Sequence, residues 1–168
     1  MSVRAASIGL MLGNFITGMT VLAPAGMMQD LSVDLAVSIR DVGLLIAWGG
    51  LTLCIGSPMV AWLTSAMDRR VLLTASLAAM GLGQVVSAIA PDYATLLGVR
   101  VVMLAFAAIF TPAAAGTIAL IVPERDRPRA IAFIFLGWSM SLAAGLPLIT
   151  FVSGLLGWLI AYAMLAAI

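Results

Sequence analysis

The last 39 residues of this chain, 130–168, contain no Asp, Glu, Lys, Arg or His. Four earlier stretches, 5–29, 42–67, 71–91 and 101–123, are equally free of charge. Each stretch is at least as long as the about 20 apolar residues that a helix needs to cross the hydrocarbon core of a bilayer. A soluble domain of this size cannot bury so much apolar surface. The sequence therefore predicts an all-α, polytopic membrane protein whose solvent is the bilayer.

The composition limits the possible functions. Charged residues make up 9% of the chain, against about 25% in an average soluble domain. The chain has no His, and Cys54 is its only cysteine, so we expect no disulfide, no metal site and no cofactor. The net charge of +1, without a basic tract, argues against a nucleic-acid partner. Because the sequence has no Ser–His pair, HExxH motif or paired intramembrane Asp, we do not expect an enzyme.

Polar and proline-containing breaks between the apolar stretches define the predicted helices. A turn at Ser153, Gly154 and Gly157 divides the last uncharged run. The sixth helix would be incomplete, because eleven residues span only about 17 Å, roughly half of the core. We therefore expect a truncated product or a piece of a longer protein. The predicted single transmembrane domain, 1–168, has helices at about 5–28, 39–66, 71–90, 95–122, 130–152 and 158–168.

The arginines predict the orientation of this bundle. In the predicted topology, the loops at the end opposite the N-terminus hold only Arg40, beside several aspartates. Because positively charged loops are retained in the cytoplasm, we expect the N-terminus and both Arg-rich turns to be cytoplasmic. The arginines at that end are Arg4, Arg69, Arg70, Arg125, Arg127 and Arg129.

Small residues and prolines predict how the helices pack. Gly137, Ser141 and Gly145 recur every four residues, a spacing that allows two helix backbones to approach closely. Pro147 follows them and should weaken the fifth helix near its middle. Further prolines lie inside the first, second and fourth helices. Tight packing with kinks, and bending around a central cavity, both explain these prolines.

Polar residues at membrane depth are the candidates for substrate or coupling contacts. Arg100 lies about five residues into the fourth helix, where a charge is costly unless it snorkels to the interface or faces a wet cavity. Both arrangements remain open on the sequence. Asn14, Thr17, Gln84 and Trp138 are the other candidates, although each could instead form a hydrogen bond between helices.

Four segments resemble the amino-terminal half of a major facilitator superfamily transporter, and most closely the bacterial 12-helix drug- and sugar-efflux branch. In the turn after the second helix, Leu63, Arg69 and Arg70 match the motif of the family's gating loop. Asp68 stands where that motif has its second Gly, and the motif's Asp is replaced by Ser65. The other matching segments are 12–18, Arg100, and 135–147, which resembles the fifth-helix motif of the efflux antiporters.

The resemblance implies a fold and a mechanism. It implies a six-helix bundle of two inverted repeats that transports small molecules by alternating access with a second bundle. Arg100 and Asn14 would line the cavity, and the fifth helix with its small-residue stripe would lie against the partner bundle. No acid occurs at 17–19, near where proton-coupled members often carry one, so proton coupling would need a carboxylate from the missing half or from Asp41.

The implied setting is the bacterial inner membrane. The implied partners are membrane lipid, a small-molecule substrate such as a drug, sugar or nucleoside, and the missing carboxy-terminal bundle or a second copy. The alternative is a small membrane protein that does not transport and serves as an assembly partner or a dimerising half-carrier.

Overall fold

The structure, a computed structural model, describes residues 3–63 and 67–168, and these ranges consist of helices joined by short turns, without strands. The predicted end of the second helix, at residues 64–66, lies outside the described residues. A π-helical turn, Ser141–Gly145, joins α6 to α7. The helices are α1 (Val3–Gly26), α2 (Met28–Asp34), α3 (Ile39–Leu63), α4 (Arg69–Ser87), α5 (Tyr93–Ile121), α6 (Arg127–Met140), α7 (Leu146–Leu156) and α8 (Trp158–Ala167).

The predicted fold class is confirmed. Five spans in the described ranges are long and apolar enough to cross a membrane: α1, α3, α4, α5 and the unit formed by α6 and α7. The shorter apolar helix α8 follows them. Large apolar side chains such as Leu82, Phe151 and Leu155 remain about two-thirds exposed, which suits a surface covered by lipid rather than water.

Two helices begin where an aspartate caps them. The Asp68 carboxylate accepts hydrogen bonds from the backbone N–H of Arg70 (2.9 Å) and of Val71 (3.2 Å). The Asp92 carboxylate accepts one from the backbone N–H of Thr95 (2.8 Å). Such caps satisfy donors that the first turn of a helix leaves free, so α4 and α5 each start two residues before the predicted position.

The end of the fifth predicted helix is corrected by the structure. The helix starts at residue 127 and continues through Ser153 and Gly154 to Leu156. Gly157 makes the break instead, with a φ of 89° that an L-residue with a side chain rarely adopts. The predicted weakness near Pro147 corresponds to the π turn, which widens the helix just before a residue that cannot donate a backbone hydrogen bond.

Helix α2 is not among the predicted helices, because residues 29–41 are rich in charged side chains and separate two apolar runs. In the structure Leu31 is fully buried, and two donors beyond α6 bind the helix's acidic residues. The Ser153 hydroxyl donates to Asp30, and Trp158 Nε1 donates to Asp34 Oδ2 over 2.9 Å. The carboxylates of Asp30 and Asp34 therefore anchor α2 to the end of the bundle, and this segment is not a solvated loop.

Helix α1 lies at the centre and contacts each of the other membrane-length helices. The small-residue stripe faces this helix. A side-chain carbon on Gly137 would overlap the carbonyl oxygen of Met11 and lie 2.7 Å from Phe15 N, and one on Gly145 would lie 2.7 Å from Met19 Cγ. The stripe therefore packs on α1, and the expected contact of the fifth helix with a partner bundle stays a prediction that concerns its other faces.

Candidate functional site

A groove of about 480 Å³ opens between α3, α5 and α6. Its lining residues lie well inside these helices and away from their charged ends, so the groove is at membrane depth. The side chains that line it are apolar, aromatic or hydroxyl-bearing, and none carries a charge. They are Leu53, Ser57, Ala107, Ala108, Thr111, Pro112, Phe135 and Trp138.

A chain of hydrogen bonds fixes the polar wall of this groove. Trp138 Nε1 donates to Thr111 Oγ1 over 3.2 Å, and the same hydroxyl donates to Asn14 Oδ1 over 2.8 Å. Asn14 Nδ2 in turn donates to the backbone carbonyl of Ile134 over 3.2 Å. Asn14 is fully buried, so it satisfies its amide inside the bundle and joins α1 to both α5 and α6. The indole of Trp138 is thus held in one orientation beside the groove.

This arrangement suits recognition of an uncharged, partly aromatic molecule. The rings of Phe135 and Trp138 offer apolar faces, while the hydroxyls of Ser57 and Thr111 offer polar contacts. Apolar walls with few polar groups are typical of small-molecule sites. A charged ligand would find no opposite charge among the residues that line the groove.

Arg100 belongs to a second polar cluster, which lies about two turns along α1 from Asn14. It is only 1% exposed and does not line the groove. Its Nη1 lies 3.4 Å from the carbonyl oxygen of Thr20, and its Nη2 lies 3.1 Å from that of Val21. Gln84 Nε2 donates to Thr20 Oγ1 over 3.1 Å, so residues from α4 and α5 meet at one point of α1.

Tyr162 of α8, which is not among the site residues predicted from the sequence, completes this cluster. Its hydroxyl is fully buried and close enough to the Arg100 guanidinium to interact electrostatically, without a hydrogen bond of good geometry. Arg100 Nε and Gln84 Oε1 also lack hydrogen-bond partners within the described ranges. Unpaired buried polar atoms of this kind are often bridged by ordered water. The only signal in the sequence was a single tyrosine within an apolar run.

The other sequence candidates lie outside both clusters. The hydroxyl of Thr17 donates to the carbonyl of Gly13 in its own helix over 2.8 Å. In the gating-loop motif, the guanidinium of Arg69 packs over Gly116 of α5, where an added side-chain carbon would lie 2.7 Å from Nη1. Arg70 borders a groove of about 400 Å³ between α1, α4 and α5. The side chain of Leu63 lies outside the described residues.

The membrane-length helices define a multi-pass membrane protein. Its uncharged, aromatic groove at membrane depth is suited to binding small molecules. The chain belongs to the Major Facilitator Superfamily, whose family model matches residues 10–168. The members of this family are transporters rather than enzymes.

Curated relatives agree with this family. The chain is 31% identical over 151 residues to the inner membrane transport protein YdhP of Escherichia coli K12, covering 90% of this chain and 39% of the relative. It is 32% identical over 148 residues to the chloramphenicol efflux pump Rv0191 of Mycobacterium tuberculosis, covering 88% and 36%. It is 26% identical over 157 residues to a probable sugar efflux transporter of Pasteurella multocida, covering 94% and 39%. The chain thus spans about two-fifths of the length of these relatives.

Proposed function

We propose that this chain forms the amino-terminal bundle of a secondary transporter that exports small, uncharged, amphipathic molecules by alternating access. The observation that carries the proposal is the uncharged groove, with Trp138 held in place by Thr111 and Asn14. A second bundle opposite the open side of the groove would enclose the substrate, as in family members built from two facing bundles. The names of two relatives, a chloramphenicol pump and a sugar efflux transporter, support export of uncharged molecules.

Proton coupling would require a carboxylate, and the residues that line the groove supply none. Asp41, the nearest candidate on the same helix as Leu53, serves another purpose. Its Oδ2 accepts a hydrogen bond from the Ser38 hydroxyl over 2.6 Å, in a capping arrangement at the start of α3. It lies about 18 Å along the helix from Leu53. We therefore place any coupling carboxylate outside this groove.

The proposed setting is the bacterial inner membrane, with the N-terminus in the cytoplasm. The inner-membrane relative supports the location, and the clustering of arginines at one end of the bundle supports the orientation. The proposed partners are lipid, an uncharged substrate and a second bundle.

The test is drug accumulation in a bacterial strain that lacks its main exporters and produces the protein at the full length its gene encodes. We expect lower accumulation of chloramphenicol or another neutral aromatic probe than in cells without the protein. Trp138→Ala should weaken export about tenfold, equivalent to about 1.4 kcal/mol. Trp48→Ala is the matched control, because Trp48 is 48% exposed on α3 and does not line the groove. Unchanged accumulation of every neutral probe, at normal membrane levels of the protein, would reject the proposal.

A further inference from the structure

A separate groove of about 550 Å³ opens at the end of the bundle that carries the N-terminus and the α5–α6 turn. It shares no lining residue with the groove at membrane depth. The first turns of α1 and α6, together with the turn before α6, form its walls. Its lining residues are Arg4, Ser7, Ile8, Asp126, Arg129, Ala130 and Phe133.

Two positive charges border this groove without a counter-ion. Arg4 and Arg129 are exposed, and neither forms an ion pair with another described residue. The one acid in the lining, Asp126, is already paired, because its Oδ2 lies 3.5 Å from Nε of Arg125. The groove therefore presents an excess of two guanidinium groups. Guanidinium groups donate paired hydrogen bonds that match the geometry of phosphate oxygens.

The deeper part of the groove is apolar. Ile8 lies one turn beyond Arg4 on α1, and Phe133 lies one turn beyond Arg129 on α6. Both helices belong to membrane-length spans, so these side chains lie on the hydrocarbon side of the two arginines. Ile8 remains 41% exposed, so an apolar surface is available to a ligand. A ligand with a phosphate at one end and an acyl chain at the other would contact both parts of this groove.

We propose that this groove is a binding site for an anionic phospholipid, with Arg4 and Arg129 holding the headgroup phosphate and Ile8 and Phe133 contacting the first part of an acyl chain. The ligand should carry a net negative charge, because the cation of a zwitterionic headgroup would be repelled by the two arginines. The apolar part of the groove distinguishes this ligand from free phosphate, because free phosphate has no apolar group to pack against Ile8 or Phe133. The site does not depend on the transported substrate.

The experiment is native mass spectrometry of the purified full-length protein, incubated with equal amounts of phosphatidylglycerol and phosphatidylcholine that carry the same acyl chains. We expect at least about fivefold preferential retention of phosphatidylglycerol, weakened by added salt because the contact is ionic. The double variant Arg4→Gln/Arg129→Gln should lose the preference. Arg40→Gln is the control, because it removes one exposed arginine from the first turn of α3, outside this groove. Soluble glycerol phosphate should not compete with the lipid.

Equal retention of the two lipids by the unaltered protein would overturn the proposal, and this result needs no variant to fold. A preference that survives in the double variant would also overturn it, as would an equal loss in Arg40→Gln. Complete competition by glycerol phosphate would show that the groove binds a free phosphate rather than a lipid. The melting temperature of each variant in phosphatidylcholine nanodiscs identifies any variant that has lost its fold.

Discussion

Arg100 of α5 donates a hydrogen bond to the carbonyl oxygen of Thr20 in α1, with Nη1 3.4 Å from that oxygen. In an uninterrupted helix this carbonyl would accept from the backbone N–H four residues later, but that residue is Pro24, which has none. A second bond reaches the next carbonyl, that of Val21, over 3.1 Å. One buried cation thus satisfies the backbone of another helix at the point where proline leaves it without a donor.

Replacing Arg100 should therefore weaken the bundle as well as transport. Arg100→Ala removes both donors, leaves the Thr20 carbonyl without a partner and opens a cavity in the core, which together should cost about 2–4 kcal/mol. Arg100→Lys should recover only part of this loss, because an ammonium group lacks the planar fork that reaches two carbonyls. Thermal unfolding in detergent and export by the full-length protein measure the two effects.

Arg40→Ala is the control for Arg100, because Arg40 is exposed at the start of α3. It should leave the melting temperature nearly unchanged. If both Arg100 variants melt and export like the unaltered protein, the contact between Arg100 and α1 is dispensable.

The fold was predictable because the bilayer imposes long uncharged helices, and their ends are marked by charges, prolines and glycines. The candidate site was predictable only in part. Asn14 and Trp138 were recognisable as polar groups at membrane depth, but their link through Thr111 depends on the rotation of α5 against α1 and α6. Arg100 was recognisable as an anomaly, whereas its partners on α1 and α8 depend on tertiary packing. The pattern of a single sequence predicts which residues share one face of a helix, but it does not predict which neighbouring helix packs against that face.

The cap at Asp92 predicts a pH-dependent contribution to stability. The backbone N–H of Thr95 donates to this carboxylate, and that bond lowers the pKa of Asp92 below its ordinary value of 3.8. Because the pKa of Asp92 is lower in the folded protein, the ionised cap stabilises the folded state at any pH above 3.8, the ordinary pKa of Asp. This stabilisation is lost as the pH falls through the lower pKa of the folded protein. Asp92→Ala should therefore melt at a lower temperature than the unaltered protein at neutral pH, with a smaller difference at about pH 3.

Asp92→Asn is the control for this titration, since asparagine caps a helix without ionising. The asparagine cap should not titrate, so the melting temperatures of the alanine and asparagine variants should differ by the same amount at both pH values. If the deficit of Asp92→Ala is equally large at neutral and acidic pH, the ionised carboxylate does not contribute to the cap.

The proposed orientation predicts which turns react with a reagent that cannot cross the membrane. Met67 and Pro91 are exposed beside the two capping aspartates and can be replaced by cysteine without removing a cap. The background must be Cys54→Ala, because the native cysteine is exposed. In intact cells a cysteine at 91 should be labelled, while one at 67 should react only after the cells are permeabilised. Labelling at 67 in intact cells would reverse the proposed topology.

The stripe on α6 and the π turn predicts a graded response to a single added methyl group. Gly137→Ala should destabilise the bundle by about 1–3 kcal/mol, because the new carbon would meet the backbone of Met11 and Phe15, which cannot move without shifting α1. Gly145→Ala should cost less, because it would meet only the flexible side chain of Met19. Gly154→Ala is the control, since no atom lies within 4 Å of the added carbon, and it should be neutral or slightly stabilising. Thermal unfolding in detergent measures the order of stability of the three variants. Their levels in the membrane check that each variant inserts. If Gly137→Ala and Gly154→Ala have the same melting temperature, the backbone of α6 does not pack directly on α1.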